Sequence, residues 1–335
     1  MRIAINGFGR IGRCIVRALM AQGWPPDLEL VAINDPANRD ALVYLLNHDS
    51  VHGPAPQRAV LAGDRLQLGA QTVGLFAAAT AEALPWRELG IDVLLECSGR
   101  FRHRDKAQLH LDAGARRLLM SAPLADADAT IVYGVNSATL RPAHKLVSCA
   151  SCTTNCLAPV ALVLQREFGI ESGQMTTVHA YTADQRLVDG SKDDFYRGRA
   201  AALSMIPTRT GAAKAIGLVL PELDGRFCGM AVRIPTPDVS LVDLHCLLMR
   251  TADRKAINDA MRSAADGDLR GVLAYNDEPL VSVDFLRHPA SSIVDANHTA
   301  ALGRQIKVMA WYDNEWGFAL RMLDVARCMG ALDAA

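Results

Sequence analysis

The residue whose type and setting offer the most chemistry is Cys152, within the segment Ser151-Cys152-Thr153-Thr154-Asn155. The strand-like segment KLVSCA precedes it and a helical pattern of apolar residues follows, so Cys152 is predicted at a helix N-terminus. The free N–H groups and the dipole of a helix start favour thiolate over thiol, and neighbouring hydroxyls can help to hold an oxyanion or a phosphate. The alternative is a buried structural cysteine beside ordinary N-cap residues.

A base for this thiol would be His179, which lies in the alternating run from Met175 to Tyr181. A lone histidine in a strand is more often structural, so the position alone does not assign its chemistry. A cysteine hydrolase built on Cys152 and His179 would need no dinucleotide, and the glycine motif described next would then be unexplained.

A second chemical signal is a GxGxxG motif directly between the apolar segment RIAIN and a helical pattern. Glycines there allow a tight turn and a close approach of a pyrophosphate to the free N–H groups of the helix. A carboxylate that ends the next strand can accept hydrogen bonds from ribose hydroxyls and repels a 2′-phosphate, which favours NAD. The predicted contacts are Gly7, Gly9, Arg10, Ile11, Gly12 and Asp35. A glycine-rich turn that only permits close packing is the alternative.

The elements that position these residues indicate an α/β protein with two domains. Strands and helices alternate to about residue 149, including strand-like pieces around 58 to 76, and predict a doubly wound parallel sheet of the Rossmann type over 1–150. The later segments GQMTTVHAYT, CGMAVRIPT and VSLVDLHCLLM predict an α+β catalytic domain over 151–314 with a mainly antiparallel sheet. A C-terminal helix, 315–335, is expected to pack back on the first domain. Residues 183 to 209 are predicted to form a functional loop.

Bulk properties exclude several classes of protein. The chain has 335 residues, 50% of them hydrophobic, and a net charge of −1, which predicts soluble globular domains and argues against nucleic acid or an anionic membrane as partner. The N-terminus lacks the pattern of a signal peptide, so a cytoplasmic location is expected. The eight cysteines are scattered, which indicates no disulfide framework, and no metal-ligand cluster is evident.

Five segments, INGFGRIG, SCTTNCLAP, HAYT, TGAAKA and WYDNEWGF, resemble the glyceraldehyde-3-phosphate dehydrogenase family in order, spacing and wording. The resemblance spans the whole chain and implies phosphorylating oxidation of D-glyceraldehyde 3-phosphate to 1,3-bisphosphoglycerate with NAD. LPWRELGIDVLLECSG also resembles the erythrose-4-phosphate dehydrogenases of the same superfamily. Because HAYT and TGAAKA follow the triose pattern, the triose phosphate is favoured and the tetrose phosphate is the alternative.

The resemblance also implies roles for individual residues. Cys152 would add to the aldehyde as a thiohemiacetal and then carry the acyl group, and His179 would activate the thiol. Substrate phosphate would be bound by Thr182 and Arg233. Attacking inorganic phosphate would be bound by Ser151, Thr153, Thr210 and Gly211, with assistance from the loop residue Arg197. Asn314 would hydrogen-bond the nicotinamide amide, and Gly99 and Ser121 would line the cofactor groove.

The resemblance further implies a homotetramer. Gly190-Ser191 resembles dual-specificity relatives, whereas Asp35-Pro36 favours NAD, so NAD preference with secondary NADP use is expected. An NAD-binding regulatory protein without turnover, or an accessory enzyme of gluconeogenesis or arsenate handling, remains an alternative.

Cys149 stands where the family usually has asparagine. This departure raises the hypothesis of an oxidative link between Cys149 and Cys152, and simple packing of the Cys149 side chain is the favoured explanation.

Overall fold

The computed structural model describes residues 1–332, so 333–335 of the predicted C-terminal helix lie outside the described residues. Contacts between Cα atoms divide the chain into two compact units, Met1–Ser151 with the chain from Ala319 onward, and Cys152–Phe318. Each unit contains one large sheet. Within residues 1–332, no helix is both long and apolar enough to cross a membrane.

The first unit is a nine-stranded sheet with helices, in the spatial order β10-β11-β9-β8-β1-β2-β7-β6-β5. Its strands are β1 Arg2–Asn6, β2 Glu29–Asn34, β3 His48–Asp49, β4 Gly53–Pro54, β5 Ala59–Ala62, β6 Arg65–Leu68, β7 Gln71–Phe76, β8 Val93–Glu96, β9 Arg117–Met120, β10 Ala129–Thr130 and β11 Leu146–Ser148, of which β3 and β4 form a separate ribbon. Its helices are α1 Arg10–Ala21, α2 Arg39–Asn47 and α3 Arg104–Asp112. The doubly wound class predicted from the sequence is confirmed.

One edge of this sheet differs from the predicted all-parallel pattern. In the spatial order, the seven strands from β10 through β1 and β2 to β7 are all parallel to their neighbours. At the other end, β6 pairs antiparallel with both β7 and β5. The connections between these three strands are only two residues long, and such hairpins reverse the chain, whereas a parallel neighbour needs a long crossover. The central strand β8 is fully buried, as expected where helices cover both faces.

The second unit contains a seven-stranded sheet in the order β13-β14-β12-β15-β18-β17-β16. Its strands are β12 Ile170–Ala180, β13 Ile206–Arg209, β14 Phe227–Ile234, β15 Ser240–Leu248, β16 Leu273–Asn276, β17 Ser292–Leu302 and β18 Gln305–Tyr312. Its helices are α4 Cys152–Phe168, α5 Ala212–Val219 and α6 Arg254–Asp266, and α7 Trp316–Ala331 starts at its end. The 183 to 209 segment is less irregular than predicted, because it contains a short turn of helix and β13.

The second sheet is mainly antiparallel, but β12 and β14 are parallel neighbours, and so are β16 and β17. The expectation that the segments forming β12 and β14 pair antiparallel with their neighbours is therefore wrong for this pair. The chain between them passes through β13 and α5, a crossover long enough to return β14 in the same direction. The parallel register places Arg233 beside His179.

Candidate active site

The start of α4 and the end of β12 bring the two predicted catalytic side chains together. Cys152 is the first residue of α4, as predicted. Met175, Thr177 and His179 alternate along β12 and are all buried on one face. The Nε2 atom of His179 lies 3.5 Å from the Sγ atom of Cys152, within reach of a hydrogen bond to sulfur. This arrangement allows a proton to pass between thiol and imidazole.

The other nitrogen of His179 lies beside a backbone carbonyl and a cation. Nδ1 is 2.7 Å from the Ala180 carbonyl oxygen and 2.8 Å from Nη1 of Arg233, which also donates to that carbonyl at 2.9 Å. Burial, and then the charge of Arg233, lower the pKa of His179 from 6.5 to about 3. The imidazole is therefore neutral at physiological pH. Because a carbonyl oxygen only accepts, the Ala180 contact places the His179 proton on Nδ1, and Arg233, which can only donate, is then a charged neighbour of Nδ1 and not its hydrogen-bond partner. Nε2 is free to accept the thiol proton.

The electrostatics of Cys152 correct one prediction. Burial raises the pKa of the Cys152 thiol, whereas the charge of Arg233 and hydrogen bonds from Thr153 act in the opposite direction, and the net direction is upward. The thiolate predicted from the helix N-terminus is thus not the favoured form in the structure, because desolvation outweighs the stabilising groups. A neutral thiol facing a neutral imidazole requires His179 to act as a base when the thiol attacks.

A chain of buried hydroxyls behind the thiol was not predicted from the sequence. The Oη atom of Tyr312 is 2.9 Å from Oγ1 of Thr153 and 2.8 Å from Oγ1 of Thr177. Burial raises the pKa of Tyr312, so it remains a neutral phenol. The Thr153 side chain, predicted as a phosphate ligand, is therefore also engaged in positioning the first turn of α4.

Several predicted anion-binding groups lie in the same unit. Nη1 of Arg233 donates to the Ala180 carbonyl beside His179, while its Nε atom is buried and has no hydrogen-bond partner among residues 1–332. A buried guanidinium donor without a partner fits an anionic ligand such as phosphate. Thr182 is half-buried, and its N–H donates to Oε1 of Gln185. The amide nitrogen of Gln185, Nε2, is buried and has no hydrogen-bond partner among residues 1–332. Gln185 had no signal in the sequence.

The remaining predicted phosphate residues are less directly placed. Arg197 donates to Asp184 at 2.5 Å and to Thr208 at 2.9 Å, so its guanidinium is already paired, although its charge acts on His179. Thr210 and Gly211 precede α5, where Thr210 Oγ1 accepts from the Ala212 N–H at 3.2 Å. No hydrogen bond among the described residues joins Thr210 or Gly211 to Cys152. Ser151, immediately before α4, is half-buried.

The glycine motif in the first unit has the geometry that a dinucleotide requires. Gly7 has φ +96, and a Cβ there would lie 2.3 Å from the Ser98 nitrogen; a Cβ on Gly12 would lie 2.3 Å from the Gly7 oxygen. Gly9 is exposed, with nothing within 4 Å of its Cβ position, and no side chain caps α1. The start of α1, which no side chain caps, therefore fits a pyrophosphate.

Other predicted cofactor residues surround this turn. Asp35 accepts from the Phe8 N–H at 2.8 Å and from the Ala37 N–H at 2.9 Å, and retains lone pairs for ribose hydroxyls. Arg10 forms an ion pair with Asp49 at 2.7 Å, and Ile11 is half-buried in the first turn of α1. A cavity of about 140 Å³ beside the motif is lined by Asn34, Asp35, Ala78, Ser98 and Phe101, among others. Small and apolar lining residues such as Ala78 carry no chemical signature in the sequence.

The loop after β8 is fixed by a buried carboxylate. Glu96 accepts from the Ser98 N–H at 2.7 Å and from the Asn6 amide at 2.5 Å. Gly99, in the same loop, has φ +68, which favours glycine. Ser121 hydrogen-bonds the Cys97 thiol. Gly99 and Ser121 thus lie in the first unit, which also contains the glycine motif, and these contacts fix the loop after β8.

Gly7 and Gly9 should respond differently to alanine. Gly7→Ala is expected to lower the free energy of unfolding by more than about 2 kcal/mol, because it forces a positive φ and a backbone clash. Gly9→Ala is expected to leave Tm nearly unchanged and to weaken NAD binding by on the order of tenfold, because the methyl group covers the surface approached by pyrophosphate. Thermal denaturation and NAD titration measure both. Equal losses of stability, or unchanged NAD affinity in Gly9→Ala, would contradict this interpretation.

All eight cysteines are free thiols. Cys149 is fully buried, and burial raises its pKa to about 12. A protonated, inaccessible thiol reacts slowly with peroxide, which supports packing as the explanation for Cys149. The oxidative link to Cys152 stays a hypothesis.

A buried acid pair lies beside Asn314. The Asp313 carboxylate accepts from the backbone N–H groups of Arg287, Glu315 and Trp316, at 2.7, 2.9 and 2.6 Å. Asp238 hydrogen-bonds Asp313, and burial, followed by the charge of Asp313, raises the pKa of Asp238 to about 9. Asp238 therefore carries the proton of the pair at neutral pH.

This proton predicts a pH-dependent stability. Between the ordinary pKa of 3.8 and about 9, the unfolded chain has lost the Asp238 proton and the folded chain keeps it, so this group's contribution to stability falls as pH rises. Asp238→Asn should remove that slope, up to about 1.4 kcal/mol per pH unit, so the Tm of the variant relative to wild type should rise from about pH 5 to 9. For the control variant Asp193→Asn, at an exposed position, the plot of Tm against pH should run parallel to that of the wild type. Parallel curves for Asp238→Asn would contradict the shared proton.

Comparison with known proteins follows the same division of the chain. The family model "Glyceraldehyde 3-phosphate dehydrogenase, NAD binding domain" matches residues 1–104, and "Glyceraldehyde 3-phosphate dehydrogenase, C-terminal domain" matches residues 151–314. The chain belongs to the glyceraldehyde-3-phosphate dehydrogenase family. The resemblance noted in the sequence is thereby confirmed, and the chain is an NAD-dependent oxidoreductase of the aldehyde-oxidising type.

Curated relatives of the family match along the full length. Glyceraldehyde-3-phosphate dehydrogenase of Pseudomonas aeruginosa is 53% identical over 99% of this chain and 98% of its own. The enzymes of the same name from Xanthobacter flavus and Geobacillus stearothermophilus are 50% and 48% identical, over 99% and 97% of both chains. The NAD-binding match contains Gly7 to Gly12, Asp35 and Gly99, and the C-terminal match contains Cys152, His179 and Asn314.

Proposed function

We propose that this member of the glyceraldehyde-3-phosphate dehydrogenase family oxidises D-glyceraldehyde 3-phosphate to 1,3-bisphosphoglycerate, reversibly, with NAD and inorganic phosphate. The observation that carries the proposal is the 3.5 Å approach of Cys152 Sγ to a neutral His179, whose imidazole is also contacted by Arg233. In this proposal the glycine motif of the first unit binds the pyrophosphate of NAD, and Arg233 and Thr182 of the second unit bind the phosphate of the aldehyde.

The chemistry begins with a proton transfer. As the Cys152 sulfur bonds to the aldehyde carbon, the thiol proton moves to Nε2 of His179, and the aldehyde oxygen becomes negative. The protonated imidazole donates to that oxygen, which gives a neutral thiohemiacetal on Cys152. NAD, when bound, supplies the acceptor for the hydride that leaves this carbon. His179 takes the hydroxyl proton, and a thioester remains on the sulfur.

The second half-reaction uses anion-binding groups. A phosphate oxygen attacks the thioester carbon, the carbon–sulfur bond breaks, and the Cys152 sulfur regains a proton from His179. Arg233 Nε and Thr182 are proposed for the substrate phosphate. Ser151, Thr153, Thr210 and Gly211 are proposed for inorganic phosphate, with Arg197 assisting after it exchanges its partner Asp184. Neutral donors and two arginines suffice without a basic patch.

The same groups would also bind D-erythrose 4-phosphate. The triose phosphate is therefore proposed as the substrate because the HAYT and TGAAKA segments favour it. NADP use is proposed as secondary to NAD, because Asp35 would repel a 2′-phosphate. Family resemblance supports a homotetramer in the cytoplasm.

The proposal is tested by NADH formation with glyceraldehyde 3-phosphate or erythrose 4-phosphate, each with and without inorganic phosphate. Phosphate-dependent turnover that favours the triose supports the proposal. A higher kcat/KM for the tetrose would assign the chain to its relative. NAD binding without turnover of either compound would leave a regulatory NAD-binding protein.

A further inference from the structure

A three-residue turn, 238–240, packs against the residue proposed to contact nicotinamide. It leads into β15, whose first residue, Ser240, pairs with Tyr312 at the end of β18. The Ser240 hydroxyl donates to Oδ1 of Asn314 at 2.6 Å, and it accepts from the Ala180 N–H at 3.1 Å. Ser240 is 1% exposed. One buried hydroxyl thus joins Asn314 to the residue that follows His179.

These contacts determine which end of the Asn314 amide is free. A buried serine hydroxyl must place its own hydrogen on an acceptor. Because Ser240 Oγ already accepts from Ala180, its hydrogen points to Asn314, where only the carbonyl oxygen can accept. The NH₂ group of Asn314 is then the end that can donate to a ligand. A ligand carbonyl, such as that of a carboxamide, fits this donor.

The backbone of the turn is held in a strained conformation. Val239 has φ 64, a left-handed value that a β-branched residue rarely adopts, and its N–H donates to Asp238 Oδ1 at 2.8 Å. Asp238 in turn hydrogen-bonds Asp313, the neighbour of Asn314. Strained backbones persist where surrounding contacts over-determine them, and they concentrate at functional sites. Two side-chain contacts, 238 to 313 and 240 to 314, therefore fix the turn against the Asn314 segment.

We propose that Ser240 is a positioning residue that sets the orientation of the Asn314 amide, so that its NH₂ group donates to the carboxamide oxygen of nicotinamide. Through the Ala180 N–H, the same hydroxyl ties this orientation to the end of β12 that carries His179. The inference rests on the proposed function, because it takes NAD as the ligand of Asn314. Without the Ser240 hydrogen bond, the amide can rotate and present its oxygen, which repels the ligand carbonyl.

The experiment compares NAD with ADP-ribose, which lacks the nicotinamide ring, by calorimetric titration of the full chain. Ser240→Ala is expected to weaken NAD binding by about tenfold, the value of one oriented hydrogen bond, and to leave ADP-ribose binding unchanged. Ser240→Thr, which restores a hydroxyl, should recover most of the affinity. The matched control Ser292→Ala removes another fully buried serine hydroxyl of the same unit, 3.5 Å from the Cys156 sulfur, and should change neither ligand.

A double-mutant cycle tests the route through Asn314. In an Asn314→Ala background, Ser240→Ala should cause no further loss of NAD affinity. Equal weakening of NAD and ADP-ribose would show a merely structural role and overturn the proposal, as would unchanged NAD binding in Ser240→Ala. Failure of the wild type to bind either compound would overturn the proposed function itself, and the two failures are thus distinguishable.

Discussion

Replacing Cys152 with serine is expected to lower kcat by on the order of 10⁴-fold or more, while NAD affinity stays within about twofold of wild type. A serine hydroxyl is a far weaker nucleophile than a thiol, and His179 would have to remove a proton from a much weaker acid. Serine also forms an ester rather than a thioester, and an ester transfers its acyl group to phosphate less readily. Steady-state NADH formation and NAD titration measure the two quantities.

The control for this substitution is Cys228→Ser. Cys228 is an exposed thiol on β14 of the same unit, so its replacement makes the same chemical change away from α4. Its kcat should remain within about twofold of wild type. Retention of more than a tenth of the wild-type kcat in Cys152→Ser would exclude Cys152 as the nucleophile.

Replacing His179 with asparagine is expected to lower kcat/KM by about 10² to 10⁴-fold at neutral pH, the range typical of a positioned general base. Asparagine retains a polar contact at this position but cannot accept the thiol proton. The pKa of about 3 implies that wild-type His179 is already in its basic form throughout the range above pH 5. Wild-type kcat/KM should therefore show no acid limb near 6.5, the ordinary value of a histidine.

His179 also contributes to the pH dependence of stability. Its folded pKa is lowered, so between 6.5 and about 3 the unfolded chain binds a proton that the folded chain excludes, and stability is lost as pH falls through that window. His179→Asn should reduce this acid destabilisation. The control is His245→Asn, because the side chain of His245, on β15, is exposed. This variant should retain activity. An acid limb of wild-type kcat/KM near pH 6.5 that persists in every other histidine variant would contradict a neutral His179.

Local patterns in the sequence were enough to predict the positions of two key features. The strand, turn and helix around Gly7 to Gly12, and the helix beginning at Cys152, depend on spacing within about 15 residues, where hydrophobic periodicity and glycine geometry dominate. The parallel pairing of β12 with β14 was not predictable in this way. It depends on the crossover through β13 and α5, and alternation along a strand does not reveal the direction of its neighbours.

Residues that act through other residues also escaped prediction. Ser240, Tyr312 and Asp238 are ordinary strand or turn residues by type, and only the sheet register brings Ser240 to Asn314 and Tyr312 to Thr153. The direction of the Cys152 pKa shift was predicted wrongly, because a helix terminus is visible in the sequence but the extent of desolvation is not. Arg233 was predicted only by resemblance, and its contact with His179 became visible in the structure.

The most direct test of the proposed chemistry is intact-mass analysis of the protein mixed with NAD and glyceraldehyde 3-phosphate in the absence of inorganic phosphate. We expect an acyl adduct on Cys152, one per chain, that disappears when phosphate is added and never forms in Cys152→Ser. Peptide mapping should place the adduct on the first residue of α4. Phosphate-dependent NADH formation without any adduct, or an adduct on another cysteine, would contradict a thioester at Cys152.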